Sequence, residues 1–227
     1  MVFAELGRMK LGERDLQAVL VRVAELARQT LPGTAGASVT LVESDRAFTA
    51  AFAGQLALDL DETQYQEGFG PCLEVAQSAG IVTVPDMAAE TRWPAFARQA
   101  LAVGVRSSLS VALPFQEAVL GALNIYATHP LFDQDAIELA RTFAGYAAVA
   151  IANARLYQNT ATLAENMRRA METRAVIEQA KGILVALHHC SPERAFELLS
   201  RLSQSTHRKL RDCAADLVSS TAGGQSG

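Results

Sequence analysis

Four cations carry the clearest chemical potential in this 227-residue chain: Lys181, Arg208, Lys209 and Arg211. Arg208, Lys209 and Arg211 lie opposite a Leu210, Cys213, Ala214, Leu217 stripe at helical spacing, so they project away from whatever the stripe buries. Arg174 and His207 are secondary members of the set. Guanidinium groups pair with phosphate oxygens bidentately and stack on exposed bases, whereas an ammonium acts as a point charge. The set is therefore suited to a phosphate polymer. The competing reading is a solvated helix face whose charges pair with Glu178 and Asp212. Sulfur and imidazole offer less. Cys72, Cys190 and Cys213 lie far apart without CxxC spacing, which suits a reducing compartment and argues against a disulfide framework or a zinc site. His188-His189-Cys190 falls in a turn, and adjacent histidines on a helix do not face one direction. The phosphate-loop, nucleophile-elbow and zinc-protease motifs are all absent, so the chain reads as no enzyme, with no catalytic or metal-ligating residues.

The cations need helices to hold them, and residues 170–218 supply three. The first carries Val176, Ala180, Ile183, Leu184 and Leu187 on one face. His188-His189-Cys190 interrupts the pattern; Ser191 is a natural N-cap, Pro192 suits the first helical position and Glu193 complements the dipole. The second helix is expected to bury Ala195, Phe196, Leu198, Leu199 and Leu202, with Ser203–Thr206 as a turn before the third.

RAVIEQAKGIL, SPERAFELL and SQSTHRKLRDCAADLV together resemble the ANTAR domain, the RNA-binding module of transcription antitermination regulators. The resemblance implies an all-α three-helix bundle that binds paired RNA hairpins in a leader transcript and prevents a terminator from forming. The family often has Asn where this chain has His207, and the two side chains offer different hydrogen bonds. Charge agrees with an RNA-facing module. Residues 168–212 hold nine Lys/Arg against five Asp/Glu, while the remainder holds eleven against nineteen, within a net charge of −4. Three small helices also fit a helix-turn-helix, so a sensor-linked DNA-binding regulator is the alternative.

Ahead of this module the pattern changes. Residues 10–31 read as a helix with Leu16, Val19, Leu20, Val23, Leu26 and Ala27 on one face, ended by Pro32-Gly33. Strand-like runs follow at Ala37–Val42, Ala47–Phe52, Ile81–Val84, Ser107–Leu113 and Ala118–Tyr126. Gly70-Pro71 turns a loop into a short helix, Trp93–Val103 reads as another, and Phe132–Tyr157 opens a long one. A helix, a meander with helical insertions and a closing helix make an α+β fold with one central antiparallel sheet flanked by helices. EGFGPCLEVAQ, RWPAFARQALAVGVRSSLSVAL, FQEAVLGALNIYA and FDQDAIELARTFAGYAAVAIANARLYQ resemble a GAF domain. That resemblance implies a sensor module with a small-molecule ligand between sheet and helices. Candidate lining residues are Phe52, Phe69, Cys72, Trp93, Phe96, Ser108, Ser110 and Tyr126, with plain core as the competing reading for most of them.

The cofactor is unknown. A cyclic nucleotide is disfavoured because Phe132 and Asp135 occur without the Asn-Lys pair of the binding version. Haem is disfavoured because His129 is the one front-domain histidine and sits beside Pro130 in a turn. A bilin would need a suitable cysteine. Cys72 stands at a helix start, where a thiol pKa can fall, but no basic residue is near it in sequence and it reads first as a buried small hydrophobe.

Val149, Leu156, Leu163, Ala170, Ile177 and Leu184 fall seven residues apart, and Tyr146–Lys181 contains no proline or glycine. The spacing predicts one helix of about 50 residues, with a seam for a second copy in a parallel homodimer. The companion column Ala152, Asn159, Asn166, Thr173, Ala180 is mixed, so the coiled coil is weak; packing on the front domain is expected to account for Val149. The small, polar segment 219–227 is expected to be a disordered tail. The division is thus 10–157 GAF sensor, 158–169 connector and 170–218 ANTAR module. No window suits a membrane span, and MVFAELGRMKLGERD carries charge where a signal peptide needs an apolar core, which points to the cytoplasm.

Overall fold

A computed structural model describes residues 15–223 apart from Pro32, Asp45, Glu117 and Leu131, so residues 10–14 of the first expected helix lie outside the described residues. The chain forms two compact units, Met1–Gln158 and Asn159–Gly227.

In the first unit, α1 (Leu16–Thr30) starts at Asp15, whose carboxylate accepts the Ala18 N–H at 2.7 Å. β1 (Thr34–Glu43) and β2 (Arg46–Ala53) form a hairpin. Two helices follow, α2 (Gln55–Glu67) and α3 (Pro71–Ser78), then β3 (Ile81–Val84), α4 (Pro94–Ala102), β4 (Ser107–Phe115) and β5 (Ala118–Ala127). The five strands pair antiparallel in the order β2-β1-β5-β4-β3. Every expected strand is present, β3 with the expected bounds and the other four longer by one to four residues. α2 is the new element. It buries Ala57, Leu60, Asp61 and Gln64, a helical stripe half of which is polar.

Two apolar cores sandwich the sheet. On one face α1 packs Val19, Leu20, Val23, Leu26 and Ala27 with Phe143, Ala144, Ala147, Ala148 and Ile151 of α5 (Gln134–His188) over Val39, Leu109, Val111, Leu123 and Ile125. On the other, α2, α3 and α4 pack Leu60, Cys72, Val75, Phe96 and Ala100 over Ala112, Ala122 and Tyr126. The β1–β5 contact depends on Gly121: a Cβ there would lie 1.9 Å from the Thr40 carbonyl oxygen.

α5 is 55 residues long, and its later turns belong to the second unit. Val149 is 50% exposed, so packing on the sheet does not account for it; the small neighbours Ala147, Ala148 and Ile151 take the inward positions instead. Leu156, Leu163, Met167 and Met171 are also exposed. Arg168 and Arg169 pair with Glu165, and Arg168 also with Glu172, holding the Glu165 carboxyl down to about 2.

α6 (Pro192–Thr206) begins as expected, with the Ser191 hydroxyl accepting the Arg194 N–H and proline at the start. It runs through Ser203–Thr206, so that stretch is helix rather than turn; the Thr206 hydroxyl bonds back to the Leu202 carbonyl and its side chain need not break the ladder. α7 (Leu210–Gly223) carries residues 219–223 in its last turns, where composition predicts a disordered tail; the Ser220 and Thr221 hydroxyls satisfy the Leu217 carbonyl within the helix. Residues 224–227 lie outside the described residues. The bundle core is small: Ala180, Leu199 and Ala214 are buried, with Val176, Ile177, Leu184, Leu210, Leu217 and Val218 packed around them. Phe196, 44% exposed, and Leu187 and Leu202 lie outside it, contrary to the sequence expectation. The inward positions are taken by Ala180, Ala195, Leu199 and Ala214 instead.

Candidate functional site

The face of the sheet under α2 holds a buried polar cluster. Its centre is Asp61, fully buried on the second turn of α2. Tyr126 of β5 donates to Asp61 Oδ1 at 2.6 Å, Thr49 of β2 donates to Oδ2 at 2.8 Å, and the Asn124 amide reaches Oδ1 at 3.3 Å. Asn124 Nδ2 also donates to Ser38 at 3.1 Å and Thr40 at 3.0 Å on β1. The half-buried Tyr65 hydroxyl bridges Thr40 at 2.9 Å and Thr49 at 3.0 Å. Strand register explains the convergence: Asn124 pairs with Ser38 on one side and Ser110 on the other, so all three side chains share one face.

No cation in the described residues forms an ion pair with Asp61. Burial therefore dominates and pushes its carboxyl up to about 6, although the Ser38, Tyr126, Thr49 and Asn124 hydrogen bonds pull the other way. Burial, with the Asp61 charge second, also raises Tyr65, Tyr126 and the Cys72 thiol. Gln64 Oε1 accepts the Cys72 N–H at 2.9 Å, closing the N-terminus of α3 from the neighbouring helix. Gly70 leaves room for it; a Cβ there would meet the Gln64 side chain at 2.4 Å. Among the described residues, Thr34 Oγ1, Ser108 Oγ, Ser110 Oγ and Asn124 Oδ1 are buried without a hydrogen-bond partner. Three of these four border the Asp61 cluster through cross-strand pairing.

The sequence-derived pocket residues divide. Cys72, Trp93, Phe96 and Tyr126 share the core beneath α2–α4, and Ser108 and Ser110 are buried on the same sheet face. Phe52 and Phe69 do not join them. Phe52 lies on the edge strand β2 and is exposed, and Phe69 is exposed after the left-handed Gly68 that ends α2. Cys72 is the buried small hydrophobe that its sequence context favours: burial, then the Asp61 charge, raises its thiol against the Thr40 and two backbone hydrogen bonds. Trp93 carries the Arg92 guanidinium 4.1 Å over its ring.

In the second unit, Arg208, Lys209, Arg211 and Arg174 are all exposed. Arg208 and Lys209 precede α7 rather than opening it. His207 ends α6 in the left-handed region at φ 52°, a conformation that Asn and His tolerate better than branched residues. Arg208 pairs with Asp216 at 2.6 Å, and its carbonyl accepts the Ser203 hydroxyl, which fixes the α6–α7 turn. Lys181 is half-buried and pairs with Glu178 at 2.9 Å. A groove of about 470 Å³ lies between Arg169, Ala170, Thr173, Arg174, Ile177, Glu178 and the exposed ring of Phe196.

The profile of the GAF domain matches residues 13–152. The chain belongs to the GAF-domain family. Residues 165–218 match the ANTAR domain, so this GAF protein is a sensor-linked ANTAR regulator in its domain order. Its sheet and flanking helices resemble free methionine-R-sulfoxide reductase from Neisseria meningitidis in complex with its substrate (21% identity, TM-score 0.53, 68% of this chain and 89% of that one). They also resemble fRMsr of Staphylococcus aureus in its reduced form (16%, 0.53, 66% and 92%) and a GAF domain region from Geobacter sulfurreducens PCA (18%, 0.51, 60% and 92%). At these identities the likeness is one of fold. No curated protein matches the chain.

Sequence reasoning about the GAF domain missed Asp61, Asn124, Thr49, Tyr65 and Gln64. The signal that was available is Asn124 inside the otherwise apolar strand GALNIYA, a polar residue that needs a buried partner. No group of three or more His, Cys, Asp or Glu among the described residues is placed to hold a metal, and no helix among them is long and apolar enough to cross a membrane.

Proposed function

We propose that the protein is a signal-responsive, RNA-binding transcription antitermination regulator that works as a homodimer in the cytoplasm. The single observation that carries this reading is the succession of a GAF and an ANTAR domain joined through one continuous helix, α5. The division assigned is 10–157 sensor, 158–169 connector and 170–218 RNA-binding module. A signal received in the sensor alters α5 and with it the presentation of two ANTAR bundles, which grip two hairpins by avidity. Hairpin loops expose unstacked bases that a protein can read, whereas the deep groove of duplex RNA is closed to side chains.

Lys181, Arg208, Lys209 and Arg211 are the principal RNA contacts, with Arg174 and His207 secondary. Exposure of five of the six supports this. Their pairs with Glu178 and Asp216 are partly or fully solvated and worth little in water, so a phosphate can replace the carboxylate. Val149 and Leu163, exposed on the seven-residue column, support a seam between two copies over the first half of that column, whereas its later members Ile177 and Leu184 pack into the C-terminal bundle core instead. We assign no enzymatic activity: Cys72, the one cysteine of the sensor, is buried with its thiol pKa raised, the opposite of an activated nucleophile.

Binding to a two-hairpin RNA in competition with duplex DNA of equal charge tests the reading. RNA should win by at least about tenfold, roughly 1.4 kcal/mol. Preference for the duplex would instead favour a sensor-linked DNA-binding regulator.

A further inference from the structure

We propose that the signal this GAF domain receives is the proton: the Asp61 carboxyl, reached from the surface through the Tyr65 and Thr49 hydroxyls, takes up a proton from solvent and reverses the hydrogen bonds that tie α2 to the sheet. The proposal rests on the sensory reading of the domain and names its ligand.

Three observations carry it. The first is a buried anion without a cation. Every group facing Asp61 is neutral when Asp61 is ionised: Ser38 and Thr40 from β1, Thr49 from β2, Asn124 and Tyr126 from β5, Tyr65 from α2 itself and Cys72 from α3. α4 presents Phe96, Ala97 and Ala100 to this core. Of these groups only Tyr65, Tyr126 and Cys72 can titrate, and burial pushes all three upward, so they stay protonated while Asp61 changes.

The second is a path. Tyr65 and Thr49 are half-buried, and their hydroxyls are 3.0 Å apart, with Thr49 2.8 Å from Asp61. A proton can cross this chain of hydroxyls without a cavity, which no organic ligand could.

The third is a network with two consistent polarities. With Asp61 ionised, Thr49 must donate to it, so Tyr65 donates to Thr49 and Thr40 donates to Tyr65. Asn124 donates to Thr40, and its Oδ1 is left without a partner. With Asp61 protonated, the new O–H donates to Thr49, Thr49 to Tyr65 and Tyr65 to Thr40. The Thr40 hydrogen then needs an acceptor. The Cys72 sulfur, which Thr40 already faces, accepts it, and Asn124 keeps its bonds to Ser38 and Asp61. Thr40 lies on β1, whose alternate residues Val39 and Leu41 pack against the core that includes α5, so the strand that carries the reversing hydroxyl on one face carries the α5-facing core on the other.

The test uses the full chain. The carboxyl carbon resonances of aspartate are followed from pH 4 to pH 8, with Asp61 assigned by its loss in Asp61→Asn. Amide protection is measured alongside in residues 134–158. The expected midpoint for Asp61 is about 6. Protection in the first turns of α5 should differ by about tenfold between pH 5 and pH 8, and Asp61→Asn at pH 8 should match the wild type at pH 5. An Asp61 midpoint below pH 4.5 overturns the proposal and leaves the sensory reading standing. A midpoint near 6 with α5 protection unchanged by pH also overturns it, because the proton is then bound without being reported, and the sensory reading stands with another ligand. If Asp61→Asn fails to fold, the Asp61 carboxyl is assigned in the wild type through its own backbone resonances, and its midpoint with the α5 protection decides between the same outcomes.

Discussion

Asp61→Asn isolates the free energy of burying one uncompensated charge. In the folded protein the carboxyl is pushed from 3.8 up to about 6 by burial. The unfolded chain therefore releases this proton first as pH rises. Below about pH 4 both states are protonated and Asp61 favours neither. Between about pH 4 and pH 6 the fold loses stability steadily, and above pH 6 the loss is constant at about 3 kcal/mol, from 1.36 kcal/mol for each pH unit of separation. Asn keeps an acceptor for Tyr126 and Asn124 and offers its N–H to the Thr49 hydroxyl, which can turn to accept. Any fixed cost of the substitution cancels if the variant-minus-wild-type difference is compared at two pH values. That difference should move by about 2 kcal/mol in favour of Asp61→Asn between about pH 4.5 and pH 8. Urea unfolding followed through Trp93 reads this unit alone, because it is the only tryptophan in the chain and lies in the core beneath α4. Parallel pH profiles for the two proteins would refute the reasoning, since they require the same Asp61 pKa folded and unfolded.

Three other outcomes follow from the packing. Gly121→Ala should unfold the sheet or cost more than about 3 kcal/mol by chemical denaturation, because its Cβ would meet backbone that no rotamer can move. Leu199→Ala should cost about 2–5 kcal/mol in the small C-terminal core and abolish helical signal there while Trp93 fluorescence is unchanged. Leu156→Glu with Leu163→Glu should convert a dimer to a monomer by light scattering; a wild-type monomer at tens of micromolar, with RNA present, would remove the seam.

Much of this architecture is written in apolar periodicity. The strands alternate, α1 and α5 carry clean stripes, and Ser191-Pro192-Glu193 marks the start of α6 by side-chain chemistry alone. α2 is hidden for a physical reason. Its LALDLD segment alternates like a strand, and its inward stripe is Ala57, Leu60, Asp61 and Gln64, so hydropathy weights point the wrong way at half its buried positions. The polar cluster is hidden with it, since Asp61 and Tyr65 come into register with Thr49 and Asn124 only when α2 lies on the sheet. Four of the pocket aromatics and cysteine fall in one core because they lie on inward faces, but Phe52 and Phe69 depend on an edge strand and a turn, whose coverage no local pattern reports. Phe196 likewise flanks the buried Ala195 and Leu199 stripe of α6, a distinction of one residue that apolar spacing alone does not make. His207 shows the reverse: a position read as a helix start is a left-handed helix end, where Asn and His are alike in backbone tolerance.

The most direct test of the central claim replaces Lys181, Arg208, Lys209 and Arg211 together with alanine in the full chain and measures affinity for a two-hairpin RNA from about 50 to 200 mM salt. None of the four is part of the buried bundle core, so helical signal should be retained. Binding should weaken, with a salt slope shallower by roughly 0.7 to 0.9 for each phosphate that is no longer neutralised. A folded quadruple variant that binds the RNA with unchanged affinity and unchanged slope would contradict it.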